Sequence, residues 1–562
     1  MSTDNNSPTR VVGLYNWHDG GYCVLEDGIV SEHVEFERYT RIKESGGDSL
    51  DYLKRIYLQP KNLDIKDVDH WVSPCPDWNL SKGGKDTFNT HEILDRSKIH
   101  FYSHHLCHAA HAYFSSSYED SLVLTIDSAG LDEDGRGYST TAYVCQGSDM
   151  QRVMSIPEEI LSLGNVWTRL TRFIFKLSAG YPRGCQAGSV MAMAALGDPD
   201  KFYQDILRMT KEDFKWIRFT PPGMVKGRVL RDDEEEVTHP YLDKFRKIAE
   251  KNEQDKFNLA ASLQKVTEVA LFDILDQIFS FCSKNGFRTK NLCLVGGVSL
   301  NSVVTGKISK NLSQWGLENI FIPPVPYDGG LNIGACQYHW HSVLGMPRRT
   351  DEFVSPYLGE QYTEVEVKES ITERIDQLNI VSETSLKKCA QLLREGKIVS
   401  IFQGRSESGR RALGNRSILA DPTLKGMKDL INKKVKHRQW YRPFAPSVLE
   451  EHGEEWFEGF FPSPYMSFVF DVKDDKKGIA AAIEHFDGTA RLQSVGKDQN
   501  ADYYNLIHEF YELSGVPIVL NTSFNDREPI CETPKHAINC FLKTDIDYLY
   551  FYEENILVRK NK

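Results

Sequence analysis

Short runs of alternating apolar and polar residues open the chain. Val11 to Asn16 (VVGLYN) predicts a strand, Tyr22 to Leu25 a second ending at the turn signal EDG, and Ile29 to Glu37 a third. The polar loop WHDGG joins the first pair. His104 to Ser117 (HHLCHAAHAYFSSS) predicts a helix, and Ser121 to Asp127 (SLVLTID) an apolar strand that sets a carboxylate at a sheet edge. From about 150 to 200 the pattern turns helical. It ends in GSVMAMAALG (Gly188 to Gly197), which suits close packing beside a ligand or an ordinary buried helix. The stretch 201–258, with its acidic run Asp232 to Glu236, reads as a solvated excursion.

Leu259, Leu263, Val266, Ala270, Ile274, Ile278 and Phe281 recur every three or four residues, and Asn285-Gly286 ends that helix. Asn291 to Asn301 (NLCLVGGVSLN) then predicts a buried strand, a double glycine and a helix start, a turn suited to an anion or ribose. Gly296, Gly297 and Asn301 are its candidate nucleotide contacts. The strand Asn319 to Ile322 leads into PPVPYDGGLNIGA, which places Asp328 in a glycine loop. The Pro-, Gly- and charge-rich residues 345–365 suggest a linker, so the chain divides into 1–350, a linker at 351–365, and 366–562. In the last part a helix (Lys387 to Glu395) and a strand (Ile398 to Phe402) precede Gly404. Met466 to Val472, Asp487 to Val495 and Val516 to Asn525 follow as further extended segments. No internal repeat is evident.

At 562 residues, two or three cores are expected, with 40% hydrophobic and 26% charged residues fitting a soluble globular protein. The net charge of −12 argues against gripping nucleic acid. Eleven cysteines lack CxxC spacing, so a reduced, cytoplasmic setting is expected; no apolar leader or membrane-length run is seen, so no membrane association is expected either.

Candidate chemistry gathers in two places. GRSESGRRALGNRSILADP (Gly404 to Pro422) and KVKHRQWYRPFAPSV (Lys434 to Val448) concentrate arginines and lysines after a buried strand. Glycines there let backbone approach an anion and the planar guanidinium fork binds two oxygens at once, so a pocket for a phosphorylated or carboxylated small molecule is expected. In the predicted helix His104 to Ser117, His104 and His108 stand one turn apart, the spacing at which two imidazoles share a metal. His105 and His111 point elsewhere or help line the site.

In fixed order the chain carries HHLCHAA, LVLTID, GGVSLN, YDGGLNIGA, RALGNRSILADP, YRPFAP, DGTAR and LNTSFN. Together these motifs resemble the O-carbamoyltransferase family, to which tobramycin, cephalosporin and nodulation-factor carbamoyltransferases belong, over nearly the whole chain. The resemblance implies an α/β protein with an N-terminal actin–hexokinase-like duplicated domain of TsaD type and a C-terminal YrdC-like domain. The second domain would convert carbamoyl phosphate and ATP, the latter with Mg2+, to carbamoyl adenylate. The first would move the carbamoyl group onto a hydroxyl of a small acceptor. By motif, Arg411, Lys436, Arg442, Arg491, Asn521 and Ser523 would form the adenylate site. His104, His108, Asp127 and Asp328 would hold Fe2+, Mn2+ or Zn2+, donors that suit those ions better than Ca2+. His18 or Asp19 would be the general base, with His104 also placed in the catalytic group. A homodimer could form.

Two departures stand out. ESGRRALG replaces the family's EFGPRALG, putting Ser408 and Arg410 in place of an aromatic and a proline; Ser189 stands where a lysine is usual. Threonylcarbamoyl transfer to tRNA is disfavoured by the acidic charge and the domain order, and a hydrogenase-maturation role by the missing CxxC motifs. A regulator that has lost catalysis has only these departures in its favour.

Overall fold

The structure, a computed structural model, describes residues 7–74, 98–178, 184–212, 224–225, 228–229, 240–348, 354–382 and 384–561. Strands β1 (Arg10–Tyr15), β2 (Gly21–Glu26) and β3 (Ile29–Glu35) form an antiparallel meander, and β4 (His70–Ser73) and β5 (Ile99–Phe101) extend it in parallel beside β1. The β2–β3 turn has Asp27 at φ 48° and Gly28 at φ 85°, the double positive φ that matches a tight hairpin to strand twist.

The second sheet repeats this plan. Strand β6 (Asp120–Leu131) takes β7 (Gly137–Gln146) and β8 (Asp149–Pro157) antiparallel on one side. On the other it pairs in parallel with β11 (Asn291–Val295), which pairs with β12 (Asn319–Phe321). Orders β3-β2-β1-β4-β5 and β8-β7-β6-β11-β12 are the same topology twice. The duplication is invisible as a sequence repeat because strand order depends on alternating apolar positions and connection geometry, which many residue choices satisfy.

Two sequence expectations need correction. The region from 150 begins with β8, whose partly exposed residues carry no clear period, and turns helical only at Leu163. The stretch 201–258 is no solvated excursion where described. After the helix α2 (Ala187–Ala194), helices α3 (Tyr203–Glu212) and α4 (Pro240–Lys251) bury Ile206, Met209, Leu242 and Phe245 in one cluster with α5 (Glu253–Lys284). A narrow apolar stripe at i, i+3 is easily lost among polar neighbours. The two-residue strands β9 (Met224–Val225) and β10 (Arg228–Val229) pair between them; Asp232 to Glu236 lie outside the described residues, as does the centre of the expected linker, 349–353.

The remaining strands are β13 (Leu378–Val381), β14 (Val399–Phe402), β15 (Arg416–Ala420), β16 (Ala445–Leu449), β17 (Phe470–Asp471), β18 (Thr489–Ala490), β19 (Gln493–Val495), β20 (Ile518–Ser523), β21 (Tyr548–Phe551) and β22 (Ile556–Lys560). Eight make a mixed sheet in the order β13-β22-β21-β14-β15-β20-β16-β19, while β17 pairs with β18. The expected strand Asp487 to Val495 breaks at Arg491, which sits between β18 and β19. One hydrophobic cluster runs from Leu122 and Leu294 of the second sheet through Phe468 and Phe470 to Ile418 and Phe444 of the third. The contact is close: Thr305 Oγ1 donates to the Ser467 carbonyl at 2.7 Å, and Lys310 Nζ lies 2.6 Å from Asp471.

Candidate functional site

The histidine-rich segment folds as helix α1 (His104–Phe114), which packs against α6 (Leu331–Tyr338). Their approach requires Gly334, where a Cβ would stand 1.8 Å from the Cys107 carbonyl oxygen. Asp127 on β6 and Asp328, in the turn leading into α6, close around the N-terminal end of the α1 face. His104 Nε2 lies 3.1 Å from Asp127 Oδ2, and His108 Nε2 lies 3.4 Å from Asp127 Oδ2 and 3.3 Å from Asp328 Oδ1. One donor atom from each of the four residues falls within 4.8 Å of the others, and all four are buried.

The two imidazoles and two carboxylates fit a divalent ion. His108 is fully buried, yet neither ring nitrogen makes a well-aligned hydrogen bond, a costly arrangement that a ligand on the nitrogen would relieve. Of the other two histidines, His105 Nδ1 pairs with Asp132 at 3.3 Å, and His111 lies against Gly330, its pKa pushed down to about 3 chiefly by burial.

In front of this group opens a cavity of 1590 Å³. His18, Asp19, Asp127 and Asp328 line one part of its wall, and Arg411, Lys436, Arg438, Arg442 and Arg491 another. Burial first, and then mutual repulsion with Arg410 and Arg442, lower the Arg411 pKa to about 10. The same two causes push Arg491, beside Arg411 and Arg442, and Arg438, beside Arg442 and Arg491, well below the usual guanidinium range. Arg491 Nε has no hydrogen-bond partner, and Arg411 makes one bond, to the Leu300 carbonyl at 3.3 Å. Among the described residues none of Arg411, Arg438, Arg442 and Arg491 is ion-paired to a carboxylate, so the group suits a polyanion.

The expected adenylate residues divide by role. Lys436 Nζ is already engaged, donating to the Ser523 carbonyl at 2.9 Å and the Asn525 carbonyl at 2.6 Å. Asn521 Nδ2 donates to the Ala412 carbonyl and to Ser447 Oγ, which leaves its buried Oδ1 without a donor. Ser523 lines the cavity beside it. Of the four arginines in 404–422, Arg411 alone finds neither an acid nor a carbonyl cage among the described residues. Arg405 bonds the carbonyls of Leu358 and Gly359, Arg410 pairs with Asp19 and Glu44, and the wholly buried Arg416 bonds the carbonyls of Gln403, Gly404 and Asn415. The positive loop is therefore largely a brace.

Gly297 and Asn301 line the cavity and Gly296 does not. Gly296 instead holds the turn at φ 94°, where a Cβ would meet the Ile126 carbonyl oxygen at 2.3 Å. Asn301 caps the helix Ser302–Lys310 and bonds Gln264. Ser189 and its neighbours on α2 also line the cavity, so this helix both packs and faces the open space. In the first loop His18 Nδ1 is 3.3 Å from Asp19 and its Nε2 3.6 Å from Asp328. Burial works against its proton, yet those carboxylates raise the His18 pKa to about 9. Arg438 and Lys43 are among the cavity cations that sequence reasoning left out of the site. Arg438 carried a signal in its place two residues after Lys436; Lys43 carried none, because it reaches the cavity from the first domain.

Two family models match the chain: "Carbamoyltransferase N-terminus" over residues 79–337 and "Carbamoyltransferase C-terminus" over 390–560. Nodulation protein NolNO of Sinorhizobium fredii is 32% identical over 95% of this chain and 78% of its own length. Nodulation protein NolO of Bradyrhizobium diazoefficiens is 35% identical over 80% of this chain and 77% of its own. Among solved structures, T. kodakarensis HypF aligns at 15% identity with a TM-score of 0.34, covering 60% of this chain and 48% of that one.

Proposed function

The chain belongs to the carbamoyltransferase family, and on that premise we propose that it is an ATP-dependent O-carbamoyltransferase acting on a small hydroxylated acceptor. The observation that carries this reading is the single cavity shared by the arginine set and the His18/Asp127/Asp328 wall. Carbamoyl phosphate and the Mg2+-bound triphosphate bring several negative charges, which Arg411, Arg442 and Arg491 accept, with Arg438 adding to the field. Water first cleaves carbamoyl phosphate to carbamate and inorganic phosphate; a carbamate oxygen then attacks the α-phosphorus of ATP, the bond to the β-phosphate breaks, and pyrophosphate leaves. The open Oδ1 of Asn521 suits the carbamoyl NH2 group.

The acceptor oxygen then attacks the carbamoyl carbon and AMP departs; a cation taken up by Asp328 would withdraw one of the carboxylates that hold the proton on His18, and the ring so freed, beside Asp19, would accept the hydroxyl proton. Fe2+, or Mn2+ or Zn2+, held by His104, His108, Asp127 and Asp328 would supply positive charge to the departing adenylate phosphate. Gly297 and Asn301 stand where the nucleotide would enter the first domain. A cytoplasmic setting agrees with ten described cysteines that form no disulfide. Among the described residues no helix is long and apolar enough to cross a membrane.

The test supplies the purified protein with ATP, Mg2+ and carbamoyl phosphate and no acceptor. Pyrophosphate and carbamoyl adenylate should accumulate; a preparation replete with metal that forms neither would rule the reading out.

A further inference from the structure

A second group of metal-binding side chains lies at the other end of α6. His70 on β4, His100 on β5 and His339, just past the α6 C-terminus, each offer a ring nitrogen within 4.8 Å of the other two. The placement follows from strand register. His70 and Val72 share a sheet face by the two-residue period, and His100 pairs with Val72, so both histidines project toward the side that α6 covers. Helix α6, eight residues or about 12 Å long, separates this group from Asp328. No residue is common to the two groups.

Several features suit the trio to a metal rather than to plain stacking. His339 is 1% exposed; its Nδ1 is bonded to the Tyr102 hydroxyl at 2.6 Å, while its Nε2 has no partner. A hydrogen bond on one ring nitrogen that leaves the other free is how proteins orient a ligating imidazole. The ring centroids lie 4.5, 4.6 and 6.1 Å apart, bracketing the roughly 5 Å expected of three imidazoles around one tetrahedral ion. Burial and mutual proximity lower the pKa of His70 and His339, and burial that of His100, so all three rings are neutral near pH 7. The charged groups facing His70 are Asp69 and Lys98, one of each sign.

We infer that His70, His100 and His339 form a second divalent-metal site that takes Zn2+, Co2+, Ni2+ or Cu2+ through three imidazoles, with a fourth position open to water. Such an ion would clamp the edge strand β5 and its neighbour β4 to the end of α6. His70 and His100 are half-buried, so the ion can enter from solvent.

The experiment strips the full chain of metal, reloads it with Co2+, and measures metal content and visible absorption after gel filtration. The wild-type protein should retain two equivalents. His70→Gln with His100→Gln, at half-exposed positions where folding should persist, should lose one. His104→Ala with His108→Ala should lose the other and keep a Co2+ spectrum of nitrogen ligation. If the His70/His100 variant retains as much cobalt as wild type, or the His104/His108 variant retains none, the inference fails. A wild-type protein that keeps one equivalent, lost only in the His70/His100 variant, supports this site and counts against the metal of the proposed transfer centre.

Discussion

Arg410 Nη2 lies 2.6 Å from Asp19 Oδ1, joining a loop of the first sheet to the arginine-rich loop 391 positions away. The same guanidinium reaches Glu44 at 3.1 Å and rests over the Tyr327 ring. A proline here, as the related motif has it, could make none of these contacts. Burial opposes ionisation of Asp19, and Arg410, with His18, more than offsets it, so this carboxylate stays charged.

Arg410→Ala is therefore expected to leave the buried Asp19 and the half-buried Glu44 without their partner. Stability should fall by about 2–3 kcal/mol, read as a lowered denaturation midpoint. Acceptor carbamoylation should drop about tenfold or more through the displaced first loop, while pyrophosphate release without acceptor stays within a few-fold. An equal loss in both half-reactions would show that Arg410 serves the anion pocket instead.

Arg491→Met and Arg442→Ala should behave unlike ordinary core substitutions. Each removes a cation that burial disfavours, and Arg491 is disfavoured by Arg411 and Arg442 as well, so the melting temperature of the unliganded protein should hold or rise. Pyrophosphate formation should meanwhile fall by roughly 100-fold or more. Thermal melts with and without carbamoyl phosphate check both halves, since the ligand should stabilise the wild-type protein more than either variant.

His108→Ala is expected to spare adenylate formation and to block transfer, with one metal equivalent lost. Pyrophosphate release and product formation, assayed side by side, read this directly. Loss of pyrophosphate release comparable to that of Arg442→Ala would remove the division of labour.

How much of this was legible beforehand depends on how far apart in sequence the cause lay. The spacing of His104 and His108 was local, and one helix turn fixes their relation whatever surrounds it. The Asp27-Gly28 hairpin and the long helix α5 were readable for the same reason. The motifs of a recognised family located Asp127, Asp328 and Arg411, whose convergence no local pattern could reveal. Arg405, Arg410 and Arg416 looked alike in sequence; only their contacts, with carbonyls from 358–359 and 403–415 and carboxylates from the first domain, distinguish brace from binding site. Lys43 and the His70/His100/His339 trio were hidden because their partners come from separate strands and helix ends.

A pH dependence follows from Glu32, buried with Tyr22 donating to its Oε1 at 2.6 Å and Arg405 3.9 Å away. Burial is the dominant influence and raises this carboxyl to about 7, against the opposing pull of Tyr22 and Arg405. The folded state therefore holds a proton that the unfolded chain, with a pKa near 4.3, gives up sooner. Native protein binds more protons between those values, so stability falls as pH rises from about 4.3 through 7 and levels off above it. Glu32→Gln should raise the melting temperature at pH 8, where the wild-type carboxylate is forced to ionise, and change little at pH 5. Parallel melts at the two values test the sign.

The apolar seam from Leu122 to Phe444 also bears on how such a protein can be taken apart or recombined. A piece ending after the second sheet would uncover Thr305 and Gly306, and a piece starting at the third would do the same to Ser467 and Val469, which meet them. Neither fragment would inherit a finished surface, so exchange of halves between relatives succeeds only where both sides of that seam are exchanged together.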